Sequence, residues 1–74
     1  MMKTGELLAL CRELKNKSLR DIETETGISN AILSQYETGK IKNISLKNAV
    51  ILCDYYGLSL ERLANTVRKA TRDD

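Results

Sequence analysis

The stretch SLRDIETETGISNAILSQYETG, residues 18–39, decides the fold of this 74-residue chain. Ser18 precedes one helix-like segment that Gly27 ends, and a second segment begins at Ser29 and ends at Gly39. Serine is a favoured helix N-cap, and glycine is favoured just past a helix C-terminus. The pattern therefore predicts two helices of about eight residues joined by a short turn, which is a helix-turn-helix arrangement.

Helical spacing continues on both sides of this unit. Apolar residues recur every three or four positions, and no useful length alternates apolar and polar residues as a strand would. We predict a first helix at about residues 4–15, with Asn16 in the left-handed turn that ends it. A fourth helix follows Ser45 and runs to Tyr56, and a fifth begins after Ser59.

The same spacing predicts the inner face of each helix. For the first helix these residues are Leu7, Leu8, Leu10, Cys11 and Leu14; for the second, Leu19, Ile22 and Thr26; for the third, Ile32, Leu33 and Tyr36; for the fourth, Leu46, Ala49, Val50, Cys53 and Tyr56; and for the fifth, Leu60, Leu63, Ala64 and Val67. The expected fold class is all-α, a compact five-helix domain spanning residues 1–74, with the motif at about 18–37 and a frayed tail at about 68–74.

Composition excludes several classes of function. Histidine is absent, which removes the usual general base, and two cysteines alone cannot form a tetrahedral zinc site. Twelve basic and ten acidic residues leave a net charge of +2. The longest apolar runs, residues 7–11 and 49–53, are far shorter than the roughly 20 residues of a spanning helix. We expect a cytoplasmic protein with reduced thiols, no enzymatic activity, no cofactor, no metal and no membrane partner.

The third predicted helix has two chemically distinct faces. At about 100° per residue, its polar and small side chains fall within ~140° of one another, and its apolar side chains fall on the remaining arc. Asparagine and glutamine amides can pair bidentately with adenine in a DNA major groove, and an alanine methyl can meet a thymine methyl. The polar face consists of Asn30, Ala31, Ser34 and Gln35. Any surface helix turns polar residues outward, so this face alone leaves both interpretations open.

The chain resembles the lambda repressor-like, or Cro/C1-type (XRE), helix-turn-helix family from about residue 5 to residue 64. The resemblance is carried by Leu8 and Arg12, by Ser18 and Ile22, by GISNAILSQYETGK from Gly27 to Lys40, by SL at 45–46 and by YGLSLERL from Tyr56 to Leu63. It implies a DNA-binding domain of the lambda repressor-like fold, in which the helix at 29–37 lies in the major groove.

The family also implies roles for individual residues. Asn30, Ala31, Ser34 and Gln35 match the positions that read base edges. The expected phosphate contacts are Lys17, Ser18, Arg20, Ser29, Lys40, Lys42 and Asn43. Arg12 and Glu37 match a pair that forms a structural salt bridge in many relatives. Leu19 departs from a frequent glutamine, and Glu23 departs from a usual alanine where the two motif helices meet; its stem would let the carboxylate reach outward.

From this resemblance we expect a transcriptional regulator, a repressor of phage or bacterial type, with no ligand-binding or catalytic domain attached. One short helix reads few base pairs, so we expect a homodimer on a near-palindromic operator. The interface candidates are Leu60, Leu63 and Val67. The alternative is a protein–protein interaction module, or an antitoxin-like partner, on the same scaffold, and a regulatory protein partner remains open.

Overall fold

The computed structural model describes residues 3–63, which form helices and no strand. The helices are α1 (Thr4–Leu14), α2 (Leu19–Thr26), α3 (Asn30–Thr38) and α4 (Leu46–Tyr56). A fifth, α5, begins at residue 60 and is described to residue 63. The all-α, five-helix prediction is therefore confirmed. The expected tail at 68–74 and the residues Ala64 and Val67 lie outside the described residues.

Serine side chains begin four of the five helices, as predicted. The hydroxyl oxygens of Ser18, Ser29, Ser45 and Ser59 each accept a hydrogen bond from the backbone N–H three residues further on. Each bond pairs one N–H that the helix itself leaves without a partner. The short connections between the helices therefore follow from local chemistry.

Helix α1 begins at Thr4, as predicted. Lys3 is its N-cap residue, and the Lys3 backbone N–H donates to the Glu6 carboxylate at 3.1 Å. At the other end, Asn16 has a φ of 58°, which is the left-handed conformation expected there. Asparagine tolerates this conformation better than most residues, so α1 ends where the sequence predicts.

Two adjoining clusters of buried side chains form the core. The first contains Leu8, Ile22, Ile28, Leu33, Tyr36 and Leu52, and the second contains Ala49, Cys53 and Leu63. Helix α3 packs against α1 and α2, and α2 also contacts α4. Ile22, at the centre of α2, is completely buried. The motif helices are thus held on a scaffold that the flanking helices supply.

Several residues that the spacing placed inside are exposed. Leu14 is 77% exposed and Leu46 is 73% exposed, and Leu10, Ile32 and Val50 are also accessible. Leu14 and Leu46 are terminal residues of their helices, where fewer neighbours surround a side chain. In α1, α3 and α4 the buried arc is narrower than the apolar arc, because only the part facing another helix is covered.

Gly5 is the point at which α1 comes closest to another element. A Cβ built at this position would lie 2.5 Å from the backbone carbonyl oxygen of Glu37 and closer still to that of Tyr36. Backbone atoms cannot swing aside as a flexible side chain can. The contact between α1 and the end of α3 therefore requires glycine at position 5.

We predict that Gly5→Ala destabilises the domain by about 2 kcal/mol or more, because the new methyl group overlaps the backbone of α3. Helix propensity alone predicts the opposite sign, a gain of about 0.8–1.0 kcal/mol. Urea unfolding followed by circular dichroism measures the difference. A stabilised variant would show that α1 and α3 are not in close contact in solution.

Candidate nucleic-acid interface

The outward face of α3 carries the residues that the sequence singled out for reading bases. Ala31 is exposed, and Ser34 and Gln35 are half-buried. Leu33 and Tyr36 point into the core. The Gln35 backbone carbonyl accepts bonds from the Ile41 N–H and the Thr38 hydroxyl, which ties the end of α3 to the following loop. The helix thus presents small and polar side chains on a face anchored from behind.

Asn30, at the start of α3, is bonded within the protein. Its amide nitrogen Nδ2 donates to Glu23 Oε1 at 2.9 Å, and its backbone N–H donates to Glu23 Oε2 at 3.3 Å. Glu23 therefore does not reach outward as expected, because its carboxylate turns to the N–H groups at the start of α3. One amide hydrogen of Asn30 is thus used in a bond within the protein, so fewer of its hydrogen-bonding groups are available to a base than the sequence suggests.

The residues expected to contact phosphates fall into two groups. Arg20, Lys40, Lys42 and Asn43 are exposed. Lys17 Nζ lies 3.5 Å from Glu25 Oε2, and this carboxylate would compete with a DNA phosphate for the lysine. The loop after α3, with the exposed Lys40 and Lys42, therefore carries positive charge that is more accessible than that of Lys17.

The two serines in the expected phosphate set have a structural task as well. Both Ser18 and Ser29 use the hydroxyl oxygen to cap a helix, and the hydroxyl hydrogen of Ser29 remains able to donate elsewhere. The Ser18 backbone N–H donates to Asp21, and this bond, with the one from the Ser18 side chain, lowers the pKa of the Asp21 carboxyl. A negative charge therefore remains at the start of α2.

Arg12 and Glu37 form the ion pair that the resemblance implied. Arg12 Nε donates to Glu37 Oε2 at 2.8 Å, and Nη2 donates to Oε1 at 3.0 Å, so the pairing is bidentate. Nη1 donates to the backbone carbonyl of Lys17 at 3.0 Å. One guanidinium thus joins α1, the end of α3 and the loop that leads into α2.

A second polar link was not predicted from the sequence. Asn48 Nδ2, in the first turn of α4, donates to the hydroxyl of the buried Tyr36 at 2.9 Å. This bond ties α4 to α3 and gives a buried phenol a partner. The sequence signal was present, since a tyrosine on an apolar face needs a polar neighbour, but the sequence did not show which neighbour.

Three groups that could support chemistry are held in their neutral forms. Burial raises the pKa of the Cys11 and Cys53 thiols, and burial together with the Glu37 charge raises that of Tyr56. The thiolate is the reactive form of cysteine, so a raised pKa makes both thiols less reactive.

Within residues 3–63 no three metal-ligating side chains come together. No helix in that range is long and apolar enough to cross a membrane.

The interface candidates on α5 have different environments. Leu63 is 2% exposed and belongs to the core with Ala49 and Cys53, so intrachain packing already covers it. This corrects the expectation that Leu63 offers a surface to a second copy. Leu60 is exposed. Val67 lies outside the described residues.

Two short helices joined by a tight turn, with a polar outward face on the second, define a helix-turn-helix domain. A helix-turn-helix family model matches residues 8–63, more than half of the chain, and the chain belongs to the Cro/C1-type, or XRE, helix-turn-helix family. It is thus a DNA-binding domain of the type found in transcription regulators. No curated protein and no solved structure matches the chain.

We predict that Arg12→Met and Glu37→Leu each cost about 1–3 kcal/mol, below the 3–5 of a fully buried pair because both side chains keep some exposure. The double variant should lose less than the sum of the two, since no charge is then left unpaired. Urea unfolding of all four proteins measures the coupling. Lys17→Met, which breaks a more exposed pair, serves as the control and should change stability by at most about 1 kcal/mol. Strict additivity would contradict the pairing.

Proposed function

We propose that this protein binds a specific double-stranded DNA operator, with α3 in the major groove, and regulates transcription as a repressor of phage or bacterial type. The observation that carries the proposal is the outward face of α3, where Ala31, Ser34 and Gln35 are accessible while Leu33 and Tyr36 anchor the helix. Within residues 3–63 the Gln35 amide makes no hydrogen bond to the protein, so it is free to pair with a base edge. Because bacterial DNA lies in the cytoplasm, the proposal places this protein in the cytoplasm.

The exposed cations beside this helix support the same proposal. Lys40 and Lys42 follow α3 directly, and Asn43 adds an amide in the same loop. Phosphate contacts of this kind fix the register of a protein on DNA without carrying sequence information. The acids Asp21 and Glu25 lie on α2 and oppose phosphate binding, which should keep the affinity for random DNA low.

We propose further that the DNA-bound form is a homodimer on a near-palindromic operator. One short recognition helix contacts too few base pairs to identify a site, and a two-fold axis doubles the contacts. Leu46 and Val50 on α4 and Leu60 on α5 are exposed apolar side chains that a second copy could cover.

The alternative is a module that binds a protein partner, including an antitoxin-like role. The exposed leucines at positions 10 and 14, one turn apart on α1, favour it because they are not needed for DNA contact. Retention on mixed genomic DNA distinguishes the two functions. A steep loss of binding as salt rises supports the DNA-binding function, whereas no retention even at low salt supports the protein partner.

We predict that Gln35→Ala costs about 1–3 kcal/mol on the selected operator and little on random DNA, because a base contact carries sequence information. Lys40→Ala and Lys42→Ala should weaken binding to both DNAs and reduce the salt slope by about one per contact. Fluorescence anisotropy at several salt concentrations measures each effect.

Thr24→Ala is the control for this set, since Thr24 is exposed on α2 and, within residues 3–63, its hydroxyl bonds only the Arg20 carbonyl. All these variants should keep their stability within about 0.5 kcal/mol. If Gln35→Ala bound the operator as tightly as the parent, the outward face of α3 would not be the reading surface.

We predict a 2:1 complex of protein and operator, with half-sites about 10–10.5 base pairs apart, because symmetric domains meet successive turns of one DNA face. Sedimentation of the protein with a duplex selected from a random library measures the stoichiometry. A 1:1 complex on a site without internal repeat would contradict the homodimer.

A further inference from the structure

We propose that Glu23 is a positioning residue that determines which way the Asn30 amide faces, and thereby the base preferred at the position Asn30 reads. The inference rests on the proposed function, since it assumes that α3 reads bases. In the sequence, Glu23 is only a departure from the alanine that the family usually has at this point of α2. The structure supplies the contact that gives this acid a role.

Both oxygens of the Glu23 carboxylate bond the same residue. Oε1 accepts from the Asn30 side chain at 2.9 Å, and Oε2 accepts from the Asn30 backbone N–H at 3.3 Å. Both residues are half-buried. The carboxylate therefore holds the backbone and the side chain of Asn30 together at the first residue of α3.

An ionised carboxylate only accepts hydrogen bonds, so it admits only one orientation of the amide. The Asn30 nitrogen must face Glu23, because the reversed amide would place a carbonyl oxygen against a carboxylate oxygen. The carbonyl oxygen and the second amide hydrogen remain for an outside partner. This fixed order of donor and acceptor is what distinguishes one base edge from another in the major groove.

The same carboxylate places a negative charge beside a surface proposed to meet DNA phosphates. Removing it should raise affinity for all DNA, whereas freeing the Asn30 amide should lower discrimination at one base pair. The substitution should therefore increase general affinity and decrease discrimination at one base pair. A residue that only stabilised the contact between α2 and α3 would not lower discrimination at a single base pair.

Glu23→Gln is the decisive variant, because glutamine keeps the shape of the side chain but can both accept and donate. When the glutamine oxygen accepts from the Asn30 backbone N–H, the glutamine NH2 faces the Asn30 side chain and matches the reversed amide, which the carboxylate excludes. The experiment selects operators for the parent chain from duplexes with about 30 randomised base pairs, enough for two half-sites one helical turn apart. Binding is then measured on the selected duplex and on its single-base substitutions, and Asn30→Ala identifies the base pair that Asn30 reads.

We expect Glu23→Gln to reduce discrimination at that base pair about three- to tenfold, and to leave the other positions unchanged. In the Asn30→Ala background, Glu23→Gln should cause no further loss there. Glu25→Gln is the matched control, since it removes an equal charge two residues along α2. It should raise general affinity without changing the preference at any base pair.

The outcomes separate the two proposals. If the parent chain selects no sequence, the proposed function fails. If it selects one and Glu23→Gln behaves as Glu25→Gln does, the proposed function stands and the positioning role of Glu23 is wrong. Circular dichroism shows whether each variant is folded. If Glu23→Gln is unfolded, Glu23→Ala replaces it with the same expected loss at the Asn30 base pair, and unchanged discrimination in that variant overturns the proposal.

Discussion

The bidentate pair between Arg12 and Glu37 is the interaction on which the arrangement of the other helices depends. It fixes the end of α3 against α1, and its third bond, to the Lys17 carbonyl, holds the loop from which α2 begins. The hydrogen bond to Glu37 raises the pKa of Arg12, and this effect is larger than the opposite effect of burial, which lowers that pKa. The guanidinium therefore stays charged in its partly buried position. Gly5 completes the constraint, because it lets α1 approach the same turn of α3.

Once its end is fixed, α3 is held along its length by bonds from both neighbouring helices. Glu23 of α2 binds its first residue, and Asn48 of α4 binds the hydroxyl of Tyr36. Each bond joins a side chain on one helix to a residue on α3. The outward face is therefore presented by a helix that is restrained at its first residue and in its last turn, and such support from neighbouring residues is what a binding surface needs for a defined geometry.

Acidic residues are placed so that they restrain basic and polar ones. Glu25 forms an ion pair with Lys17, and Asp21 accepts a hydrogen bond from the Ser18 backbone N–H at the start of α2. Glu23 accepts a hydrogen bond from the Asn30 amide. This explains how a chain with a net charge of only +2 can belong to a DNA-binding family. The exposed lysines of the loop after α3 supply local positive charge, while the acids on α2 limit attraction to DNA of any sequence.

The sequence by itself determined the helices, because serine caps, left-handed glycine and asparagine stops and apolar spacing act within a few residues. It also determined the composition of the α3 face and, by resemblance, the pair between Arg12 and Glu37. Only the tertiary structure decided which apolar residues are covered, so Leu63 is buried while Leu14 and Leu46 face solvent. It likewise decided that Glu23 binds Asn30, because the partner of a polar group depends on the angle at which two helices cross, here the consecutive helices α2 and α3, and local spacing does not encode that crossing.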